Sequence, residues 1–120
     1  MSVQALSPDF AVVGQISAQD VAAIAQAGFR SIVCNRPDGE GGPAQPAFQA
    51  IEQAAVQAGL QARYLPVVAG QITPADGAAL AHMLRELPPP VLAYCRSGAR
   101  STTLWQLTQD MARATAQAKH

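Results

Sequence analysis

The sequence has few charged residues, few aromatic residues and only two cysteines in 120 residues. Charged side chains make up 13% and aromatic side chains 5% of the chain, and equal numbers of acidic and basic residues give a formal net charge of zero. A chain without a basic excess lacks the surface needed for sequence-independent binding of nucleic acid. No apolar run reaches the roughly 20 residues that span a bilayer. We therefore expect neither a nucleic-acid partner nor a membrane partner.

Two cysteines do not form a disulfide framework in a chain of this length, and no signal-peptide pattern follows Met1. Both features favour a reducing, cytoplasmic location. The two histidines, His82 and His120, lie outside any Cys/His spacing typical of zinc, so we expect no metal and no organic cofactor. The sequence leaves the oligomeric state open.

The apolar content of 49% is typical of a globular domain. We expect a single domain over residues 1–120, with its core at about residues 6–112, and the weakly patterned tail leaves open that the chain is one domain of a longer fusion protein. The predicted strands are residues 10–13, 30–34, 62–65 and 91–94. The predicted helices begin near Ser17, Phe48, Thr73 and Ser101. This alternation predicts an α/β fold with a mostly parallel central sheet flanked by helices.

A Cys-Arg-Ser-Gly-Ala-Arg segment, residues 95–100, lies between the last predicted strand and the last predicted helix. Sites in parallel sheets form at the carboxyl ends of strands, and a helix N-terminus there offers free N–H groups and a positive dipole end. Both effects, together with the charge of Arg100, favour a thiolate at Cys95. Ser101 can also donate a hydrogen bond to the sulfur. We expect Cys95, Arg100 and Ser101 to be catalytic, and an anion-binding loop formed by Arg96, Ser97, Gly98 and Ala99.

Further candidates lie outside this loop, each with a structural alternative. Arg36 leaves the second predicted strand on the same sheet edge as Cys95, so it either binds the substrate anion or pairs with Glu40 or Asp38 to stiffen its loop. Cys34 ends the same strand and is either a resolving thiol or a buried core residue.

Two carboxylates are possible general acids. Asp76 follows Thr73 and Pro74, a pattern typical of a capped helix start, and Asp38 lies in a loop rich in Gly and Pro. Capping and turn formation are therefore the structural alternatives for these two residues.

The segment 94–101 resembles the active loop of rhodaneses and, less closely, the phosphate loop of cysteine-dependent phosphatases. Beyond this loop, the chain resembles one bacterial family, the β-lactamase-hydrolase-like protein, phosphatase-like domain. The matching segments are residues 13–16, 35–40, 65–67 and 94–105. The resemblance implies a dual-specificity-phosphatase-like fold with the cysteine loop between the last strand and the last helix. Some family members are fused to enzymes that oxidise sulfide or persulfide. A Gly-His-Ile-Pro-Gly-Ala segment of the kind found in ordinary rhodaneses is missing, which favours the phosphatase-like scaffold.

Two features bear on the reaction. Only four residues separate Cys95 from Arg100, where phosphatases of this kind have five, and the smaller loop should suit sulfane sulfur better than a phosphoryl group. In dual-specificity phosphatases an Asp after the third strand protonates the leaving oxygen, whereas residues 66–71 contain no carboxylate. We therefore expect a sulfurtransferase: Cys95 takes sulfur from thiosulfate or a small persulfide, and a thiol acceptor such as glutathione collects it.

Two alternatives remain open at this point. One is a cysteine-dependent phosphatase that forms a phosphocysteine at Cys95, with Arg100 binding two phosphate oxygens. The other is a non-catalytic module that binds an oxyanion or senses redox state through Cys95.

Overall fold

The computed structural model describes residues 1–118, so His120 lies outside the described residues. Within them, five strands form one sheet. The strands are β1 (Gln4–Ser7), β2 (Phe10–Val13), β3 (Ser31–Cys34), β4 (Gln61–Tyr64) and β5 (Val91–Tyr94). A 3-10 turn (Ala18–Asp20) precedes four helices: α1 (Val21–Gln26), α2 (Phe48–Gln57), α3 (Pro74–Glu86) and α4 (Ala99–Ala118).

The strand order is β1-β2-β5-β3-β4, and every neighbouring pair except β1–β2 is parallel. The predicted α/β fold with a mostly parallel sheet is therefore confirmed. Strand β5 lies in the middle, with Tyr94 paired to Val13 on one side and to Cys34 on the other. The loop that follows Tyr94 consequently leaves the centre of the sheet, between the carboxyl ends of two neighbouring parallel strands.

Helices cover both faces of the sheet, and successive residues of β5 point to opposite faces. Leu92 and Tyr94 belong to the core beneath α1 and α2, whereas Val91 and Ala93 belong to the core beneath α3 and α4. Because both faces are covered, every side chain of the central strands is buried, and these strands are continuous apolar runs in the sequence. No helix within residues 1–118 has the length and apolar character that crossing a membrane requires.

Strand β1 and the start of helix α4 are among the features that differ from the sequence prediction. Strand β1 was not predicted, because its first residues are exposed and its last two only partly buried, so it lacks the apolar pattern of a core strand. Helix α4 begins at Ala99 rather than near Ser101. The earlier start places Ser101 inside the first turn, with its N–H group directed toward the Cys95 loop.

Gly77 brings α3 close to α4, and this contact generates a prediction about stability. A Cβ atom at residue 77 would lie 2.7 Å from Cβ of Leu107 and 3.2 Å from Cε of Met111. We expect Gly77→Ala to reduce the free energy of unfolding by about 1–3 kcal/mol through overpacking, despite the better helix propensity of Ala. Urea unfolding would measure this, with Ala78→Leu on the exposed side of α3 as the control. Equal stability of Gly77→Ala and the parent would contradict the close-packing argument.

Candidate active site

Cys95 lies directly after β5 and is 1% exposed. The loop turns sharply enough for the N–H group of Gly98 to donate to Sγ of Cys95 at 3.1 Å. Gly98 adopts φ +94°, a conformation that residues with a Cβ atom rarely adopt. The loop is also fixed from outside, because the N–H group of Gln15 donates to the Arg96 carbonyl at 3.2 Å. The backbone of the loop is thereby held in a curl around the sulfur.

The surroundings of Cys95 favour the thiolate. Burial opposes ionisation, but hydrogen bonds from the N–H groups of Ser101, Ser97 and Arg100 outweigh it and lower the pKa of Cys95 below its ordinary value. These donors come from the loop and the first turn of α4, where N–H groups lack intrahelical partners. Cys95 is therefore poised as a nucleophile mainly by backbone N–H groups.

The guanidinium group of Arg100 is held by several acceptors. Its Nη1 and Nη2 donate to the two carboxylate oxygens of Glu40, each at 2.7 Å, and Nη1 also donates to the Val67 carbonyl at 3.0 Å. Hydrogen bonds to Glu40 and, in smaller measure, the proximity of Cys95 raise the pKa of Arg100. Glu40 and Val67 thus engage three of its five N–H groups, and the guanidinium group also hydrogen-bonds to the Cys95 sulfur. The Nε N–H and the second Nη2 N–H, which Glu40 and Val67 do not occupy, form an adjacent pair with the geometry to bind an anion bidentately.

Glu40 is the residue that sequence reasoning assigned only to loop stiffening, and the structure gives it a larger role. It accepts from Arg100 and also from Nε of Arg36 at 2.9 Å, while Nη1 of Arg36 donates to Oε1 of Gln15 at 3.2 Å. The hydrogen bond from Arg100 and the interaction with Arg36 lower the pKa of Glu40 to about 2, although desolvation opposes this shift. Glu40 is therefore ionised at neutral pH and has no proton to give to a leaving group.

Glu40 and its two arginine partners line an open cleft of about 580 Å³. Its lining consists of Arg36, Glu40, Gly41, Ala69, Arg96, Ser97, Ala99 and Arg100. The structure thus brings together the predicted anion-binding loop and Arg36, which both lines the cleft and pairs with Glu40. Among the described residues, no cluster of His, Cys, Asp and Glu side chains has the arrangement of a metal site.

Ser101 lies next to Cys95, but its hydroxyl group donates to Oδ1 of Asn35 at 2.8 Å. The hydroxyl also lies within hydrogen-bonding reach of the Cys95 sulfur and contributes to the lowered pKa of Cys95, as expected from the sequence. Because a hydroxyl has one proton, Asn35 and the sulfur share it. Asn35 is fully buried at the end of β3. Sequence reasoning did not single it out, since a lone Asn after a strand carries no signal that it will face a helix 66 residues away.

The two possible acids lie outside the cleft. The carboxylate of Asp76 accepts from the N–H group of Thr73 at 2.9 Å, and Thr73 caps α3 in return. The carboxylate of Asp38 accepts from the N–H group of Phe48 at 2.9 Å, which caps α2. Both carboxylates thus stabilise helix N-termini, as the structural alternative for Asp76 stated, whereas turn formation was the alternative for Asp38.

Cys34 is placed in the core and not in the cleft. Its thiol group is buried and donates to the Arg36 carbonyl at 3.3 Å. Burial raises the pKa of Cys34, opposite to the direction found for Cys95. The structure therefore favours the core alternative for Cys34 over the role of a resolving thiol.

The mostly parallel sheet with a cysteine-arginine loop between its last strand and last helix is the arrangement of phosphatase-like domains. The chain is 37% identical to a candidate phosphatase from Neisseria meningitidis, with a TM-score of 0.81, over 88% of this chain and 74% of that one. The core catalytic domain of a PP-IP phosphatase from S. cerevisiae has a TM-score of 0.62, at 10% identity over 80% of this chain and 56% of that one. The second likeness shows the fold alone.

The family follows from residues 2–114, which match the model described as Beta-lactamase hydrolase-like protein, phosphatase-like domain. The chain belongs to this family. It is 35% identical over 109 residues to the Beta-lactamase hydrolase-like protein of Xylella fastidiosa, a match covering 91% of this chain. The chain spans about a quarter of the length of that relative. These comparisons fit the phosphatase alternative better than the sulfur-transfer prediction, which they do not support.

The conformation of Gly98 generates a prediction about the thiolate. We expect Gly98→Ala to destabilise the fold by about 1–2 kcal/mol and to raise the pKa of Cys95, because the strained loop no longer directs its N–H group at the sulfur. The pH dependence of iodoacetamide alkylation, in a Cys34→Ala background, measures this pKa. Gly28→Ala is the matched control, since Gly28 has φ +103° at the end of α1, away from Cys95. An unchanged midpoint in Gly98→Ala would show that this N–H group contributes nothing.

The lowered pKa of Glu40 generates a prediction about acid stability. Its carboxyl titrates near pH 4.5 when unfolded and near 2 when folded, so its contribution is complete above pH 4.5 and is lost as the pH falls from 4.5 toward 2. We expect Glu40→Gln to lose less stability than the parent over this range. Urea unfolding at pH 5, 4 and 3 measures the difference, and Glu86→Gln on the exposed side of α3 should behave like the parent. If the free energy of unfolding fell equally with pH in Glu40→Gln and the parent, the ionisation of Glu40 would not contribute to stability.

Proposed function

We propose that this domain is a cysteine-dependent phosphatase that forms a phosphocysteine at Cys95. The observation that carries the proposal is the pairing of a buried thiol of lowered pKa with an Arg100 guanidinium that has two adjacent N–H groups not occupied by Glu40 or Val67. The family and its phosphatase-like relatives support the same chemistry. The anionic substrate enters the cleft lined by the loop, Arg36 and Arg100.

The reaction has two steps. Sγ of Cys95 attacks phosphorus, the S–P bond forms, and the P–O bond to the leaving group breaks, with the electron pair going to the leaving oxygen. This pair of Arg100 N–H groups and the N–H groups of the loop bind the equatorial oxygens, where charge is spread in the transition state. Water then attacks phosphorus, the S–P bond breaks, and the electron pair returns to Cys95 as the thiolate, while inorganic phosphate leaves with both protons of the water.

The substrate class follows from the missing acid. Glu40 is ionised and bound to two guanidinium groups, and the carboxylates of Asp38 and Asp76 cap helices. A leaving group that needs a proton to depart would find none of these carboxyls ready to supply it. The domain is therefore proposed to act on phosphate esters with weakly basic leaving groups, of which aryl phosphates are the accessible test.

Sulfur transfer is the second candidate function, and the length of the loop favours it. Four residues between Cys95 and Arg100 enclose a smaller anion nest than five. In this reaction Cys95 attacks the outer sulfur of thiosulfate or a small persulfide, the donor S–S bond breaks, and sulfite or a thiolate leaves as an anion without an acid. A thiol acceptor then attacks the outer sulfur of the Cys95 persulfide and regenerates the thiolate.

A paired assay tests the proposal on the purified domain. We expect hydrolysis of p-nitrophenyl phosphate at a rate well above that of an alkyl phosphate, and complete loss of this activity in Cys95→Ser. Cys34→Ala should retain it, because Cys34 lies in the core. Thiosulfate-to-glutathione sulfur transfer is measured beside it on the same variants.

Two other outcomes of this assay would reject the phosphatase proposal. Sulfur transfer that depends on Cys95, without phosphate hydrolysis, would replace the phosphatase by the second candidate. Alkylation of Cys95 that an oxyanion blocks, without turnover of either substrate, would identify a binding or redox-sensing module.

A further inference from the structure

Asn35 is the most constrained polar residue near Cys95. It follows β3, is fully buried, and its backbone N–H group donates to the Tyr94 carbonyl at 2.8 Å. Its side-chain Nδ2 donates to the Leu65 carbonyl at 3.0 Å. Because a carbonyl only accepts, the Leu65 contact fixes which end of the amide is nitrogen, and Oδ1 must face α4 as an acceptor.

The acceptor that Asn35 presents is taken by the hydroxyl of Ser101 at 2.8 Å. Ser101 lies in the first turn of α4, and its N–H group supports the Cys95 thiolate. Its hydroxyl lies within hydrogen-bonding reach of the same sulfur and helps to lower the pKa of Cys95, so Asn35 and Cys95 are two acceptors for a single proton. The backbone N–H group of Gly98 donates a hydrogen bond to the sulfur at 3.1 Å, independently of Ser101.

From this arrangement we propose that Asn35 is a positioning residue that competes with the Cys95 sulfur for the one hydroxyl proton of Ser101. The competition weakens the hydrogen bond from this hydroxyl to the resting thiolate. A thiolate with a weaker hydrogen bond is more basic and a stronger nucleophile. When Cys95 leaves phosphorus in the second step, the developing charge attracts the same proton, because hydrogen bonds to ions are stronger than those to neutral amides. The inference rests on the proposed function for this last step only.

The test is the pH profile of Cys95 alkylation by iodoacetamide in the Cys34→Ala background, which gives both the midpoint and the plateau rate. We expect Ser101→Ala to move the midpoint by less than about 0.3 units, since Asn35 competes for its proton. Asn35→Ala should lower the midpoint by about half a unit to one unit and reduce the plateau rate, because the freed hydroxyl turns to the sulfur. The double variant Asn35→Ala/Ser101→Ala should match Ser101→Ala.

A merely structural role for Asn35 would not produce this pattern, because a loosened site would alter the profile whether or not Ser101 is present. If Asn35→Ala does not fold, Asn35→Ser, whose side chain is too short to reach Ser101, takes its place. A midpoint raised by one unit or more in Ser101→Ala would overturn the proposal, since the hydroxyl would then already serve the sulfur.

Alkylation requires no turnover, so this test is separate from the proposed function. Midpoints that move as expected in a domain without phosphatase activity would leave the Asn35 inference standing and reject the function. Phosphatase activity together with unmoved midpoints in both variants would support the proposed function and overturn the Asn35 inference.

Discussion

A negative charge on a buried sulfur is the constraint on which this site depends. Cys95 is 1% exposed, and burial by itself disfavours its thiolate. Backbone N–H groups offset that cost, and they point at the sulfur only because Gly98 adopts φ +94° and α4 begins at once. The position of β5 between two parallel strands supplies the buried setting. Sheet order, glycine conformation and helix start therefore serve one requirement, the stabilisation of a thiolate away from solvent.

The second charge in the site is the carboxylate of Glu40, and its effect depends on which N–H groups it occupies. It binds the two terminal nitrogens of Arg100 end-on, which fixes the orientation of the guanidinium group and leaves the neighbouring Nε–Nη2 edge unoccupied by Glu40. An anion that binds this edge meets a donor pair already oriented. The same carboxylate adds negative charge to the cleft, which opposes highly charged anions. Glu40 thus improves the geometry of anion binding at some cost in electrostatic attraction.

Much of the fold was predictable because its signals are local. Apolar runs, capping residues and glycines mark the core strands and helices, and the Cys95 loop is contiguous in sequence. The unpredicted parts are contacts between distant segments or lack an apolar pattern. Arg100 meets Glu40 across 60 residues and Ser101 meets Asn35 across 66, and strand order decides both contacts. Strand β1 is mostly exposed, so periodicity gave no sign of it.

Phosphoryl transfer and sulfur transfer share the nucleophile, the loop and the anion-binding arginine, and they differ in what leaves. Thiosulfate and persulfides release anions that need no proton, whereas most phosphate esters release alkoxides that do. The ionised state of Glu40 therefore matters more than the fold for the choice of substrate. A fold of this kind supports several reactions. Here Glu40 is ionised and the carboxylates of Asp38 and Asp76 cap helices away from the cleft, so a phosphatase is restricted to weakly basic leaving groups. Under this restriction both reactions release a leaving group that needs no proton, so the rate of each depends on the basicity of the Cys95 thiolate. Asn35 and Ser101 are positioned to adjust that basicity.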